Sequence, residues 1–141
     1  MRDKKVLFVG TKTTIPIIRL YLDDGTECVA IIDSGSDVTV LDMAFVKAHR
    51  NLFEIVATPF RANYVGINSA DQHPIVKAKG VYYYDSGKDC FTISAEMCNL
   101  SGAFSAFEAE HGIRPHMLIG GELLDSLKAK IDYENQALIV K

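Results

Sequence analysis

The chain has 141 residues, of which 48% are hydrophobic and 23% charged, the balance of one globular domain that buries roughly 68–70% of its unfolded surface without a disulfide framework. Fifteen Lys and Arg against eighteen Asp and Glu give a net charge of −3, and no basic run exceeds two residues, which argues against nucleic acid as a partner. No apolar stretch reaches the length of a membrane span or a signal core, and the three cysteines form neither a Cys-x-x-Cys pair nor an even set, so a reducing, cytoplasmic setting is expected.

Short β-prone segments dominate. Ile15 to Leu22 reads as a strand, and Asp23-Asp24-Gly25 turns it into a second strand from Thr26 to Asp33. The run Cys28-Val29-Ala30-Ile31-Ile32 is nearly all apolar, as a strand covered on both faces should be. Val38 to Leu41 is a third strand, and Asp42 is placed to cap a helix over Met43 to Arg50, with Phe45, Val46 and His49 near one face. Thr58 to Ile67 and Ile75 to Tyr84 read as strands joined by the polar stretch Asn68 to His73, and Asp85 to Asp89 as a turn before a strand from Cys90 to Met97. Ala103 to His111 reads as a short helix stopped by Gly112. Met117 to Ile119 is a buried strand broken by Gly120-Gly121, Glu122 to Ala129 is helical, and Lys130 to Asp132 and Ala137 to Val140 close the chain. Cys28 and Cys90 lie among β-prone neighbours and read as buried free thiols. The whole, residues 1–141, is one mostly β domain.

The chemistry concentrates in Ala30-Ile31-Ile32-Asp33-Ser34-Gly35-Ser36-Asp37-Val38-Thr39-Val40-Leu41. A carboxylate set directly after a buried strand costs free energy unless it is hydrogen-bonded, shared or used. Gly35 permits a sharp turn, Ser34 and Ser36 bring hydroxyls to the carboxylate, and the apolar return holds the acidic turn between two core strands. Asp85-Ser86-Gly87 repeats the triplet, but Lys88 and Asp89 follow it, and it has only to reverse the chain.

Ile31-Ile32-Asp33-Ser34-Gly35-Ser36 resembles the signature turn of the retropepsin-like aspartic proteases, the family of retroviral, retrotransposon and related bacterial proteases, and Leu118-Ile119-Gly120-Gly121-Glu122-Leu123-Leu124 resembles its second, C-terminal motif. The resemblance implies a closed β-barrel subunit with a flap hairpin, here Thr58 to Tyr84, and a short C-terminal helix. Members of the family often carry Arg or Asp after the second-motif glycine, where this chain has Gly121 and Glu122, which leaves the neutralisation of Asp37 open. Asn99 to Pro115 is longer than in the smallest members.

Amide hydrolysis by aspartates needs two carboxyl groups sharing one proton. With one such turn per chain, the resemblance implies a homodimer with Asp33 and its symmetry mate on the two-fold axis. It further implies that Ser34 bonds across the dimer, that Gly35 and Asp37 meet the substrate backbone, and that Val65, Gly66, Ile67 and Asn68 close over an extended peptide or protein substrate. Ser36 is expected to donate to the Asp33 carboxylate and, with the shared proton, to favour an acidic optimum. His49, His73, His111 and His116 show no metal-ligand spacing, so neither metal nor cofactor is expected. Tyr82-Tyr83-Tyr84 reads as alternating strand packing. Two other readings stay open: a catalytically silent dimerisation or peptide-binding module on the same fold, and a plain monomeric β-barrel binding domain.

Overall fold

Where apolar residues alternate, the chain builds strands, and where Gly, Asp and Asn cluster, it turns. The structure, a computed structural model, describes residues 3–10, 14–61, 74–84 and 89–141. In chain order they form β1 (Lys4–Leu7), β2 (Ile17–Tyr21), β3 (Glu27–Ile32), β4 (Val40–Asp42), α1 (Met43–Ala48), a 3₁₀ turn at Arg50–Leu52, β5 (Glu54–Arg61), β6 (Pro74–Tyr83), β7 (Cys90–Cys98), α2 (Ser101–His111), β8 (Met117–Ile119), α3 (Gly121–Ser126), β9 (Lys130–Asp132) and β10 (Ala137–Val140).

Six strands run β2-β3-β8-β4-β7-β6 and close on themselves where Tyr21 of β2 pairs with Tyr83 of β6, with β5 added outside β6. This is the mostly β, closed barrel expected from the sequence. A second sheet, β1-β10-β9, stands beside it. The predicted hairpin joins β2 and β3: Gly25 sits at φ +86°, a left-handed conformation open to glycine, and Asp24 Oδ1 accepts the Thr26 N–H at 2.9 Å.

Strand β3 shows why its sequence lacks polar alternation. Cys28, Ala30 and Ile32 face the barrel core, while Val29 and Ile31 face outward into a second cluster with Ile17 and Phe104. Helix α2 supplies Phe104 and Phe107 to that cluster, so the segment Asn99 to Pro115 is a cover over the outer face of the strand that leads to Asp33. Burying Phe104 alone contributes about 2–3 kcal/mol. The helix stops, as expected, at Gly112, whose φ is +80°. No helix among the described residues is long and apolar enough to cross a membrane.

Four expectations are corrected. The N-terminal residues, assigned no element from sequence, form β1, paired antiparallel with β10 from Lys4↔Val140 to Leu7↔Ala137. Asp42 precedes α1 without capping it through its side chain; its buried carboxylate instead accepts the Leu100 N–H at 3.1 Å and so fixes the start of α2. Cys90 is exposed, because it opens β7 at the barrel rim, whereas Cys28 is fully buried and held as the thiol by its apolar surroundings. Helix α3 ends at Ser126, since Leu127 and Lys128 turn the chain into β9.

Tyr82 and Tyr84 point inward and pack on Phe91, with ring centroids at 5.5 and 5.4 Å, as alternation requires. The Tyr82 hydroxyl is buried without a hydrogen-bond partner among the described residues, and burial pushes its ionisation far above the ordinary range. Removing an unpaired buried hydroxyl relieves its desolvation cost, so Tyr82→Phe is expected to raise stability by up to about 1 kcal/mol in urea denaturation.

Candidate active site

The turn that carries Asp33 is built by an insertion. Strands β3 and β4 follow each other in sequence, yet β8 lies between them, parallel to β3 (Ala30↔Met117, Ile31↔Leu118, Ile32↔Ile119) and antiparallel to β4 (Val40↔Leu118, Leu41↔Met117). The loop from Asp33 to Thr39 therefore has to cross the end of β8, and backbone bonds fasten it there. Asp33 N–H donates to Ile119 O at 2.9 Å, Gly121 N–H to Ser36 O at 2.7 Å, and Glu122 N–H to Asp37 O at 3.0 Å. The Asp33 side chain projects from this base and is exposed, with Oδ1 accepting the Gly35 N–H at 3.2 Å.

Thr39, which the sequence reading did not single out, and Glu122, read there only as a departure from the second motif, complete the fastening. Thr39 is fully buried; its Oγ1 accepts the Gly120 N–H at 3.0 Å, and its own N–H donates to Glu122 Oε1 at 2.8 Å. The signal was a lone hydroxyl within the apolar run Val38 to Leu41. Thr39→Val keeps the shape but leaves the Gly120 N–H unpaired, and is expected to cost about 1–3 kcal/mol, read as a lower urea midpoint with unchanged slope.

The two motif glycines separate into different roles. A Cβ on Gly120 would lie 2.2 Å from Val38 O and 2.4 Å from Val38 C, so the close crossing of loop and strand admits only glycine. Gly35 is not demanded in this way: it has no positive φ, and a Cβ there would meet only Asp33 Oδ1, at 3.4 Å. The chain does turn at Gly35, with the Ser36 N–H donating to Asp33 O at 3.1 Å, but within the subunit that turn does not require glycine. Gly121 is also unconstrained, with its nearest neighbour Ser36 O at 3.5 Å.

Ser36 departs from expectation as well. Its hydroxyl donates to Val38 O at 2.9 Å, across the loop, and not to the Asp33 carboxylate, because the turn aims it toward the β8 side. Ser34, Gly35 and Asp37 are exposed beside Asp33 on the same loop. Asp37 is exposed to solvent, and Glu122, which follows the second-motif glycines, bonds the Thr39 backbone. Strands β5 and β6 pair antiparallel from Glu54↔Lys79 to Arg61↔Pro74, so the first strand of this hairpin begins at Glu54, before the Thr58 read from the sequence; Val65, Gly66, Ile67 and Asn68 lie outside the described residues. Among the described residues no group of three or more His, Cys, Asp or Glu side chains is arranged to hold a metal ion.

No protein-family profile matches the chain, and no curated protein matches it in sequence. Solved structures do. The retroviral protease-like domain of Ddi1 from Leishmania major superposes with a TM-score of 0.55 at 13% identity, over 92% of this chain and 90% of that one. A retropepsin-like aspartic protease from Rickettsia conorii superposes with a TM-score of 0.56 at 13% identity, over 99% of this chain and 91% of the other. At that identity the likeness is one of architecture, and the architecture of this chain is the retropepsin-like fold.

Proposed function

We propose that the chain is an aspartic endopeptidase that works as a homodimer, hydrolysing extended peptide or protein substrates with a water held between Asp33 and its symmetry mate. The observation that carries this reading is the Asp33 carboxylate itself. It is exposed at the start of a loop that five hydrogen bonds fix to β8 and α3, so a reactive group is presented on a rigid base.

In the proposed reaction the dyad holds one proton. The ionised carboxylate takes a proton from the water as its oxygen bonds to the peptide carbonyl carbon, and the protonated partner gives its proton to the carbonyl oxygen. The neutral gem-diol then collapses: a dyad proton passes to the amide nitrogen, the C–N bond breaks, and a diol hydroxyl returns a proton to the dyad. Activity requires one neutral and one ionised carboxyl, so it is highest at acidic to mildly acidic pH and is lost as rising pH ionises both. Ser34 is assigned to the contact between the two turns. Gly35, free of any intrasubunit need for glycine, is assigned to close approach of the substrate backbone, with Asp37 further out and Val65, Gly66, Ile67 and Asn68 covering the peptide. Ser36 supports the loop through Val38 O.

The test is digestion of a diverse peptide mixture at pH 4 to 7, read by mass spectrometry, with wild type and Asp33→Asn in parallel at high protein concentration. Cuts present in wild type and absent in the variant support the reading and report the specificity. A confirmed dimer that cuts nothing overturns it in favour of a silent peptide-binding module.

A further inference from the structure

His116 stands at the opposite end of the β3–β8 ladder from Asp33. Its backbone N–H donates to Val29 O at 2.8 Å, and its ring Nδ1 accepts the Val29 N–H at 3.0 Å, so one residue takes both backbone groups of Val29. Its carbonyl accepts the Asp42 N–H at 2.9 Å, tying in the end of β4. The ring lies flat on Phe45, with centroids at 4.4 Å and planes at 24°, and His49 packs on Phe45 at 4.8 Å. From this pin the three parallel pairs lead directly to Ile119, whose carbonyl receives the Asp33 N–H.

An imidazole nitrogen that accepts a hydrogen bond carries no proton, so this geometry admits only the neutral ring with its proton on Nε2. We propose that neutral His116 is a positioning residue for the Asp33 loop and an acid-sensitive pin of the β3–β8 ladder: protonation at Nδ1 sets two donors against each other at Val29 and frees the root of the strand on which the loop rests. The charged groups around the ring act in both directions. Burial comes first in disfavouring the cation, Arg114 and His49 add to it, and Asp42 and Glu27 oppose them, with the balance lowering the His116 pKa from its ordinary 6.5. The sign follows. A group harder to protonate in the folded chain than in the unfolded one contributes stability in full above pH 6.5, and loses it as pH falls through the folded value.

The inference rests on the proposed function only for its effect on turnover; the pin itself is read without any activity. Long-range ¹H–¹⁵N spectra of wild type at pH 7.5 are expected to show His116 protonated on Nε2 alone, and the Nδ1–H tautomer overturns the proposal. Thermal melts from pH 7.5 to 5 are expected to lose on the order of 4 °C in Tm for each tenfold difference in protonation between the folded and unfolded states. His116→Asn, whose Oδ1 can accept the Val29 N–H but cannot titrate, is expected to remove at least half of that loss, while His49→Gln, which takes away only a lesser contributor, keeps most of it. A wild-type slope retained in His116→Asn, or lost in His49→Gln, overturns the proposal. If the Asn variant does not fold, the tautomer and the exchange protection of the Val29 amide across the same pH range decide it: protection that does not fall with pH counts against the pin. If the chain cleaves peptides, His116→Asn carries activity to lower pH than wild type. Should no peptide be cut, the functional reading fails and these measurements still stand.

Discussion

Cleavage is expected to fall about a thousandfold when Asp33 becomes asparagine, while the fold survives. The two effects separate because of where the side chain sits. Asp33 is exposed, and the one bond its side chain makes among the described residues, from the Gly35 N–H to Oδ1, is one that an asparagine oxygen can accept. The loop is held by backbone bonds to Ile119, Gly121 and Glu122 that the substitution does not touch. Denaturation midpoints of wild type and variant are therefore expected to agree within about 0.5 kcal/mol. Mixing gives a sharper check of the shared dyad. If both subunits must supply Asp33, activity follows the square of the wild-type fraction, and an equal mixture of freely exchanging chains retains about a quarter of the starting rate. A linear decline to one half would show that a single Asp33 suffices and would end the two-carboxylate mechanism.

Gly120→Ala is expected to cost about 3 kcal/mol or more, at the upper end of overpacking effects. The added methyl would meet backbone atoms of Val38 and Ser36, at 2.2, 2.4 and 2.9 Å, so no side-chain rotation can relieve it. Either the loop lifts from β8 or the β3–β8 ladder opens, and both displace Asp33. The neighbouring glycine is the control. At Gly121 the methyl meets Ser36 O at 3.5 Å and Ser34 O at 4.0 Å, both ordinary contacts, so Gly121→Ala is expected to lie within about 0.5 kcal/mol of wild type. Urea denaturation of the two variants checks the pair, and equal losses would refute the crossing contact as the reason for the glycine.

Much of this arrangement was legible in the residues. The doubly apolar run Cys28 to Ile32 announced a strand covered on both faces, Asp23-Asp24-Gly25 a hairpin, and Leu118-Ile119-Gly120 a buried strand ended by glycine. Local pattern carries such features because each depends on near neighbours. What escaped depends on distant ones. Strand β1 has its partner at the other end of the chain, the role of Asp42 requires the Leu100 N–H, and the joint duty of Thr39 and Glu122 appears only once β8 has entered between β3 and β4. Ser36 shows a different limit: its residue type promised a donor, but the rotamer and loop path chose Val38 O over the carboxylate.

The insertion of β8 also sets a clock. Asp33 and Ile119 are separated by 86 positions (119 − 33), yet their backbone bond forms part of the loop's support. At a synthesis rate of about 5–20 residues per second, roughly 4–17 seconds pass between the appearance of the carboxylate and that of the strand that seats it. Pairings of such sequence separation are also slow to form. A nascent chain thus carries its Asp-Ser-Gly segment for seconds as an unformed loop, and assembly of the site is deferred until synthesis has passed Ile119.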